Sequence, residues 1–444
     1  MTKKKDAFFE ELIAEANRME KELIAIRRDL HRFPELGWME MRTSSIIARK
    51  LKEFGCDEIL TGDQVCDRSS RMGLPSEAEL EAHYQKVAEA GADPEFLQDT
   101  RGGMTGVIGI LHCGPGPVIG MRFDIDALPI TESDAQKHFP TGEGFGSLNE
   151  GVMHACGHDG HTAIGLGTAK LLLKYRDSLK GTIKFIFQPA EEGVRGAQAI
   201  VAKGHLDDVD YLFGNHMGGD LSIETPFIGI GDGASLATTK MDVIYRGKAA
   251  HAGLAPENGN NAMLAMASAV LNLQAIPRYG KAATRVNVGK VTAGVGRNVI
   301  CDTAKLELEV RGMTSEANDY MEEYAKRVIQ AAGEMHGCSC EIRLMGAAKC
   351  GKNSPELGKL VYDVCTRKLQ LPAKELPPTV GAASEDYSCM SRRVMENGGQ
   401  SCYFMNLNAL AGPIHNEYFD FQESALVNGV KVFAGMAAEL MIEE

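Results

Sequence analysis

Apolar residues recur three and four apart from Asp6 to Phe33 with charged residues between them, and the same period returns from Thr43 to Phe54. That spacing predicts a long amphipathic helix, a turn at Arg32-Phe33-Pro34-Glu35, and a second helix that ends at Gly55. Between Cys56 and Met104 only Ser76 to Ala92 keeps a helical period, flanked by turn residues, so this stretch reads as an insertion in a short strand connection. Strand-type runs follow at Thr105 to Cys113, Pro117 to Phe123 and Gly181 to Phe187, with helices at His161 to Arg176 and Gly196 to Lys203. Strands alternating with helices predict an α/β layer, a mixed and mostly parallel sheet flanked by helices.

From Thr238 the pattern changes. A strand (Lys240 to Tyr245), a helix (Asn261 to Leu273), two strands (Arg285 to Gly289 and Lys305 to Arg311), a helix (Ser315 to Met335) and a strand (Ser339 to Met345) follow one another. This β-α-β-β-α-β order is the split βαβ arrangement of a ferredoxin-like α+β module. It predicts an inserted domain at residues 237–348 within a first domain made of residues 1–236 and 349–444, itself interrupted at about 60–104. After Asn353 the chain returns to helix, loop and short strand, which completes the first sheet. Two domains also follow from length, since 444 residues exceed the roughly 250–300 at which a single core stops growing.

Net charge is −13, and Lys3-Lys4-Lys5 is the only basic cluster. Nucleic acid is therefore not an expected partner, because phosphate recognition needs a concentrated basic face. An anionic substrate would need a local patch of Arg, His or metal against that acidic background. No segment carries the apolar core of a signal peptide or of a membrane span, so no membrane association is expected. Eleven cysteines, an odd number without framework spacing, read as reduced thiols and place the protein in the cytoplasm.

Five segments concentrate metal-binding side chains. Arg122 to Pro129 sets Asp124 and Asp126 two apart at a strand end; alone, such a pair is as well explained by solvation. His154-Ala155-Cys156-Gly157-His158-Asp159-Gly160-His161 packs thiol, imidazole and carboxylate groups around two glycines, a donor set suited to zinc or a similar first-row ion. In Gln188-Pro189-Ala190-Glu191-Glu192, adjacent acids point in different directions, so one can bind metal while the other faces substrate as a general base. Gly214-Asn215-His216-Met217 and Gly412-Pro413-Ile414-His415-Asn416-Glu417 each offer a histidine in a loop, ordinarily a structural feature. Together they complete a set: two metals need about four terminal ligands and a bridge, and Cys156, His158, Glu192, His216 and His415 number five.

The HACGHDGHT and QPAEE motifs resemble those of the M20 metallopeptidases, in the branch of N-acyl-amino-acid and auxin-conjugate amidohydrolases. The likeness runs over nearly the whole chain. Within it SSRMGLP (Ser69 to Pro75), ATTKMDVIYRGKAAHA (Ala237 to Ala252), RVNV (Arg285 to Val288), GRNV (Gly296 to Val299), LMGAA (Leu344 to Ala348) and the insertion are similar to the p-aminobenzoyl-glutamate hydrolase subgroup. The resemblance implies a zinc-peptidase-like catalytic domain and a dimerisation or lid domain. It implies two Zn2+ or Mn2+ ions per subunit, with Cys156 as bridge and His158, Glu192, His216 and His415 as terminal ligands. Glu191 would be the general base, Asp126 the carboxylate that orients a ligand imidazole, and His251 a group that reaches a partner's site to steady the oxyanion. Asn298 and Arg311, with Arg297, would meet the substrate carboxylate. Cys301 stands where relatives have proline after the Asn-Val-Ile turn, which would leave that loop less rigid.

The expected reaction is hydrolysis of an amide beside a free carboxylate, in p-aminobenzoyl-glutamate or a similar N-acyl-amino acid. An N-acyl-amino-acid deacylase or a dipeptidase would use the same machinery, and a non-catalytic subunit would lack a ligand or the base, none of which is missing. The resemblance fits a heteromer with a related subunit, and the residues fit a homodimer equally.

Overall fold

The computed structural model describes residues 3–231, 233–377 and 383–443. Its strands in chain order are β1 (Glu58–Thr61), β2 (Val107–His112), β3 (Val118–Asp124), β4 (Thr182–Gln188), β5 (Tyr211–Gly219), β6 (Phe227–Ile230), β7 (Ala237–Arg246), β8 (Thr284–Ala293), β9 (Thr303–Gly312), β10 (Ser339–Ala348), β11 (Ala373–Glu375) and β12 (Gln400–Asn408). Eight form one sheet in the order β1-β2-β4-β3-β5-β12-β6-β11. Its centre, β4-β3-β5-β12, is parallel, as is β6-β11. The edge pairs β1-β2 and β2-β4, and the β12-β6 pair, are antiparallel.

Central parallel strands are buried on both faces and read as unbroken apolar runs. In β4, Phe185 and Phe187 join one core with the helices His158–Lys174 and Ala425–Met441, while Ile186 joins a second core with Tyr387–Glu396 and Ala197–Ala202. Successive strand residues point to opposite faces, so the two clusters are the two helical layers.

The long N-terminal helix read from the sequence is two helices, Lys3–Arg18 and Glu20–Arg32, because the chain tightens at Met19, whose N–H donates to Ala16 three residues back. The insertion contains the expected helix, Glu77–Glu89, with Ser76 and Glu79 forming a capping box at its start. It also supplies β1, an exposed edge strand that the hydrophobic pattern does not mark.

The remaining four strands form an antiparallel sheet in the order β10-β7-β9-β8. Helices Ala262–Gln274 and Ser315–Met335 cover one face and enclose a separate core around Met241, Val243, Leu308 and Val310. Cys301 is buried in that core, with its thiol donating to the Thr303 carbonyl. Among the described residues no helix is long and apolar enough to cross a membrane.

Arg27 ties three distant segments together. Its fully buried guanidinium donates to Asp159 (2.8 Å), Asp420 (2.5 Å) and Glu423 (3.2 Å) and lies 4.5 Å from the Phe421 ring. Removing one partner of such a buried group strands the others. Arg27→Met is expected to lower stability by about 3–5 kcal/mol and the apparent Tm by on the order of 3–5 °C in a thermal-shift measurement. An unchanged transition would mean that the three carboxylates are satisfied without the guanidinium.

Candidate active site

The site gathers where β3, β4 and β5 end or pass, at the carboxyl edge of the parallel strands. Asp124 closes β3 and Asp126 lies two residues beyond, both fully buried. The helix His158–Lys174 opens beside them, and Gly157 (φ +88°) makes the left-handed turn that admits it; a Cβ there would come within 3.1 Å of Met217. After β4 the turn passes through Ala190 in the left-handed region (φ +51°), a strained setting for a residue with a side chain. The N–H groups of Glu191 (3.1 Å) and Glu192 (2.9 Å) then both donate to the Asp126 carboxylate. Asp126 also accepts from His158 Nδ1 at 3.2 Å, and Nε2 of that imidazole lies 3.8 Å from Asp124 Oδ2.

His216 sits inside β5, correcting the loop placement read from the sequence: Gly214, Gly218 and Gly219 weaken the strand signal, and pairing with β3 and β12 supplies the strand. His415 is in a loop as expected, left-handed (φ +62°) and anchored by its N–H on the Ala155 carbonyl at 2.8 Å. Cys156 Sγ lies 3.4 Å from His216 Nε2, and His415 Nε2 lies 3.4 Å from Glu192 Oε1.

These donors form two triads, Cys156-His158-His216 and Cys156-Glu192-His415, with the donor atoms in each within 4.8 Å of one another. The thiol is common to both. His158 Nε2 is buried without a hydrogen-bond partner. Burial and the neighbouring Glu192 push the Cys156 thiol up, while burial and His161 hold His216 down to about 3 and therefore neutral. Cys156 and Glu192 in turn raise His415 to about 10, so without an ion that imidazole holds the proton; a shared thiol, a carboxylate and three converging imidazoles are a donor set that fits divalent metal, which would displace such protons. Glu191 groups with His158 and Glu192 on one side and with Glu385 and Asp386 on the other. Burial, reinforced by Glu385 and Glu192, raises its carboxyl well above the usual range, which makes it a stronger base than an exposed glutamate.

Other motif residues serve the framework. Asp159 is taken by Arg27 and His31, and His161 by Asp124 and the Met217 N–H. Sequence reasoning missed a buried network in which Arg122 binds Asp124 (2.6 Å), Glu385 (2.9 Å) and Asp386 (3.1 Å). Asp386 also accepts from Gly196 and Ala197, fixing the turn after Glu192. The adjacent acids Glu385-Asp386 were the available signal, but they stand more than 250 residues from Arg122.

A cavity of about 480 Å³ opens over the cluster, with Cys156, Glu191, Glu192, His216 and His415 on one wall and Lys240 and Arg311 of the smaller sheet on another. His251, Asn298 and Arg297 do not line it. They lie together on the exposed surface of the smaller module, where His251 bridges to Val299 and the Asn298 carbonyl accepts from Ala252 N–H.

The model of peptidase family M20/M25/M40 matches residues 120–439. The chain is 44% identical over 414 residues to an indole-3-acetyl-aspartic acid hydrolase of Enterobacter agglomerans, covering 93% of this chain and 94% of that protein. It is 43% identical over 416 residues to one of the p-aminobenzoyl-glutamate hydrolase subunits of Escherichia coli, with the same coverage. Among solved structures, an aminobenzoyl-glutamate utilization protein of Klebsiella pneumoniae superposes with a TM-score of 0.82 at 36% identity, covering 96% of this chain and 97% of that one. A dinuclear metal-binding M20 peptidase of Bacillus subtilis gives 0.64 at 28% identity, covering 96% and 99%. With a family match across most of its length and relatives this similar from end to end, the chain belongs to peptidase family M20/M25/M40 and is a metal-dependent amidohydrolase.

Proposed function

We propose that this enzyme hydrolyses the amide bond of N-acyl-amino acids that carry a free carboxylate, p-aminobenzoyl-glutamate among them. The observation that carries the reading is the pair of donor triads sharing Cys156. Cys156 would bridge two Zn2+ or Mn2+ ions, with His158 and His216 completing one site and Glu192 and His415 the other. When bound, the ions supply Lewis acidity, polarising the amide carbonyl and acidifying water. The named substrates of the two relatives, amide conjugates of aspartate and glutamate, support the substrate class. Eleven unpaired cysteines support a cytoplasmic setting.

The protein's own groups divide the remaining work. Asp126 accepts the Nδ1 proton of His158, which fixes the tautomer that leaves the Nε2 lone pair for metal. Glu191, buried beside the cluster, takes the proton of the attacking water and returns it to the leaving nitrogen. Arg311, on the cavity wall, meets the carboxylate next to the scissile amide. His251 and Asn298, with Arg297 beside them, would reach the cavity of a second subunit, either a copy of this chain or a related one, and His251 would steady the oxyanion there.

Treatment with a chelator is expected to abolish release of p-aminobenzoate, and Zn2+ or Mn2+ to restore it. Glu191→Gln should lower kcat about 100- to 10,000-fold while elemental analysis still finds two metals per chain; Glu192→Gln should lose metal. Metal loss in the first variant instead would exchange the roles of the two glutamates. Mixing inactive Glu191→Gln with inactive His251→Ala should regain activity through hybrid assemblies, with one intact site each. No recovery, with subunit exchange confirmed by mass, would place His251 outside the partner's site.

A further inference from the structure

The smaller sheet has one face covered by helices and one open. Met241 and Val243 of β7, and Leu308 and Val310 of β9, point into the helical core, so by strand alternation Lys240, Glu309 and Arg311 stand on the open face. Lys240 pairs in register with Glu309, yet the Glu309 carboxylate is already engaged by Arg311, at 3.0 Å to Nε and 3.1 Å to Nη2. Lys240 itself makes no hydrogen bond or ion pair among the described residues. It is half-buried on the cavity wall, where an ammonium without a counter-ion is unfavourable. Burial lowers its pKa below the ordinary lysine value, against the through-space pull of Glu309, which Arg311 offsets, and the weaker pull of Glu191 and Glu192 across the cavity.

An unpaired cation on the wall opposite the catalytic cluster has the chemistry of a subsite for an anionic group of the substrate. Arg311, the nearby guanidinium, is the candidate for the carboxylate beside the amide. We propose that Lys240 binds a second carboxylate, so that the preferred substrates are N-acylated dicarboxylic amino acids and Lys240 sets that preference. This rests on the amidohydrolase reading above. Lysine suits the task because its point charge on a flexible stem accepts carboxylates at different distances, as the side chains of aspartate and glutamate present them. Lys352 also lines the cavity and serves as the internal comparison.

The test compares p-aminobenzoyl-glutamate with p-aminobenzoyl-glutamine, which differ only in replacing the second carboxylate by a neutral amide. The kcat/KM ratio of the two is measured on metal-loaded wild type, Lys240→Met, Lys240→Arg and Lys352→Met. The wild type should favour the glutamate conjugate by about 10- to 100-fold, the worth of one charge-assisted hydrogen bond, and Lys240→Met should bring the ratio close to one. Lys240→Arg should retain most of the preference. Calorimetric dissociation constants for the products glutamate and glutamine should converge in Lys240→Met in the same way. An equal fall on both substrates in Lys240→Met would make the lysine a counter-charge to Glu191 and Glu192 and overturn the assignment, as would loss of the ratio in Lys352→Met instead. A wild type that cleaves both conjugates equally well overturns the Lys240 subsite and leaves the amidohydrolase reading standing. A wild type that cleaves no N-acyl-amino acid removes both.

Discussion

A carboxylate excluded from water has to use its lone pairs, and Asp126 uses them on the three groups that define the site. It takes the N–H of Glu191, the N–H of Glu192 and the Nδ1 proton of His158. Two successive amides aimed at one acceptor leave the turn after β4 no freedom, and Ala190 absorbs the strain in a left-handed conformation. The two glutamate side chains meet beside His158 and otherwise face different partners, Glu192 Cys156 and His415, Glu191 Glu385 and Asp386. One hydrogen-bonded carboxylate thus orients His158, Glu192 and Glu191, the two proposed ligands and the proposed base.

Around that centre the buried arginines have hydrogen-bonded partners of opposite sign. Asp124 stands between Arg122 and His161, Arg122 holds Glu385 and Asp386 as well, and Arg27 holds Asp159, Asp420 and Glu423. Each network is closed, so each is rigid, because moving one member strands the others. The central cluster is the exception. Among the described residues, Cys156, Glu191 and Glu192 converge with no lysine or arginine side chain paired to them, and His158 Nε2 is left unpartnered. Satisfied networks outside and a donor-rich centre with unpartnered atoms inside are what a preorganised cation site requires, since the fold, not the ion, holds the donors together.

The sequence displayed the parts of this arrangement that are local. HACGHDGHT and QPAEE compress Cys156, His158, Glu191 and Glu192 into two short runs, and the β-α-β-β-α-β order of the smaller sheet follows from periodicity alone. Groups that act across the chain were invisible. Glu385 and Asp386 have no local partner, and their meaning comes from Arg122 on β3. His216 was legible as a candidate ligand but not as a strand residue, because its glycine-rich surroundings carry no strand propensity until β3 and β12 flank them. Lys240 looked like any charged residue on a strand. Only the engagement of Glu309 by Arg311 leaves it without a hydrogen-bonded partner, and that is a fact about two strands rather than one.

The overall charge of −13 opposes an anionic substrate at long range. Distance resolves the conflict. At physiological ionic strength the screening length is about 8 Å, so acids scattered over the surface contribute little inside a cavity of about 480 Å³. What an entering carboxylate meets is decided by Lys240, Arg311 and the metal-binding cluster facing them. The larger sheet holds the proposed metal ligands and base, and the open face of the smaller sheet holds Lys240 and Arg311, the cations proposed to select the substrate. Because the two sets sit on separately cored modules, the charges that choose a substrate can change without disturbing the buried hydrogen bonds that Asp126 maintains.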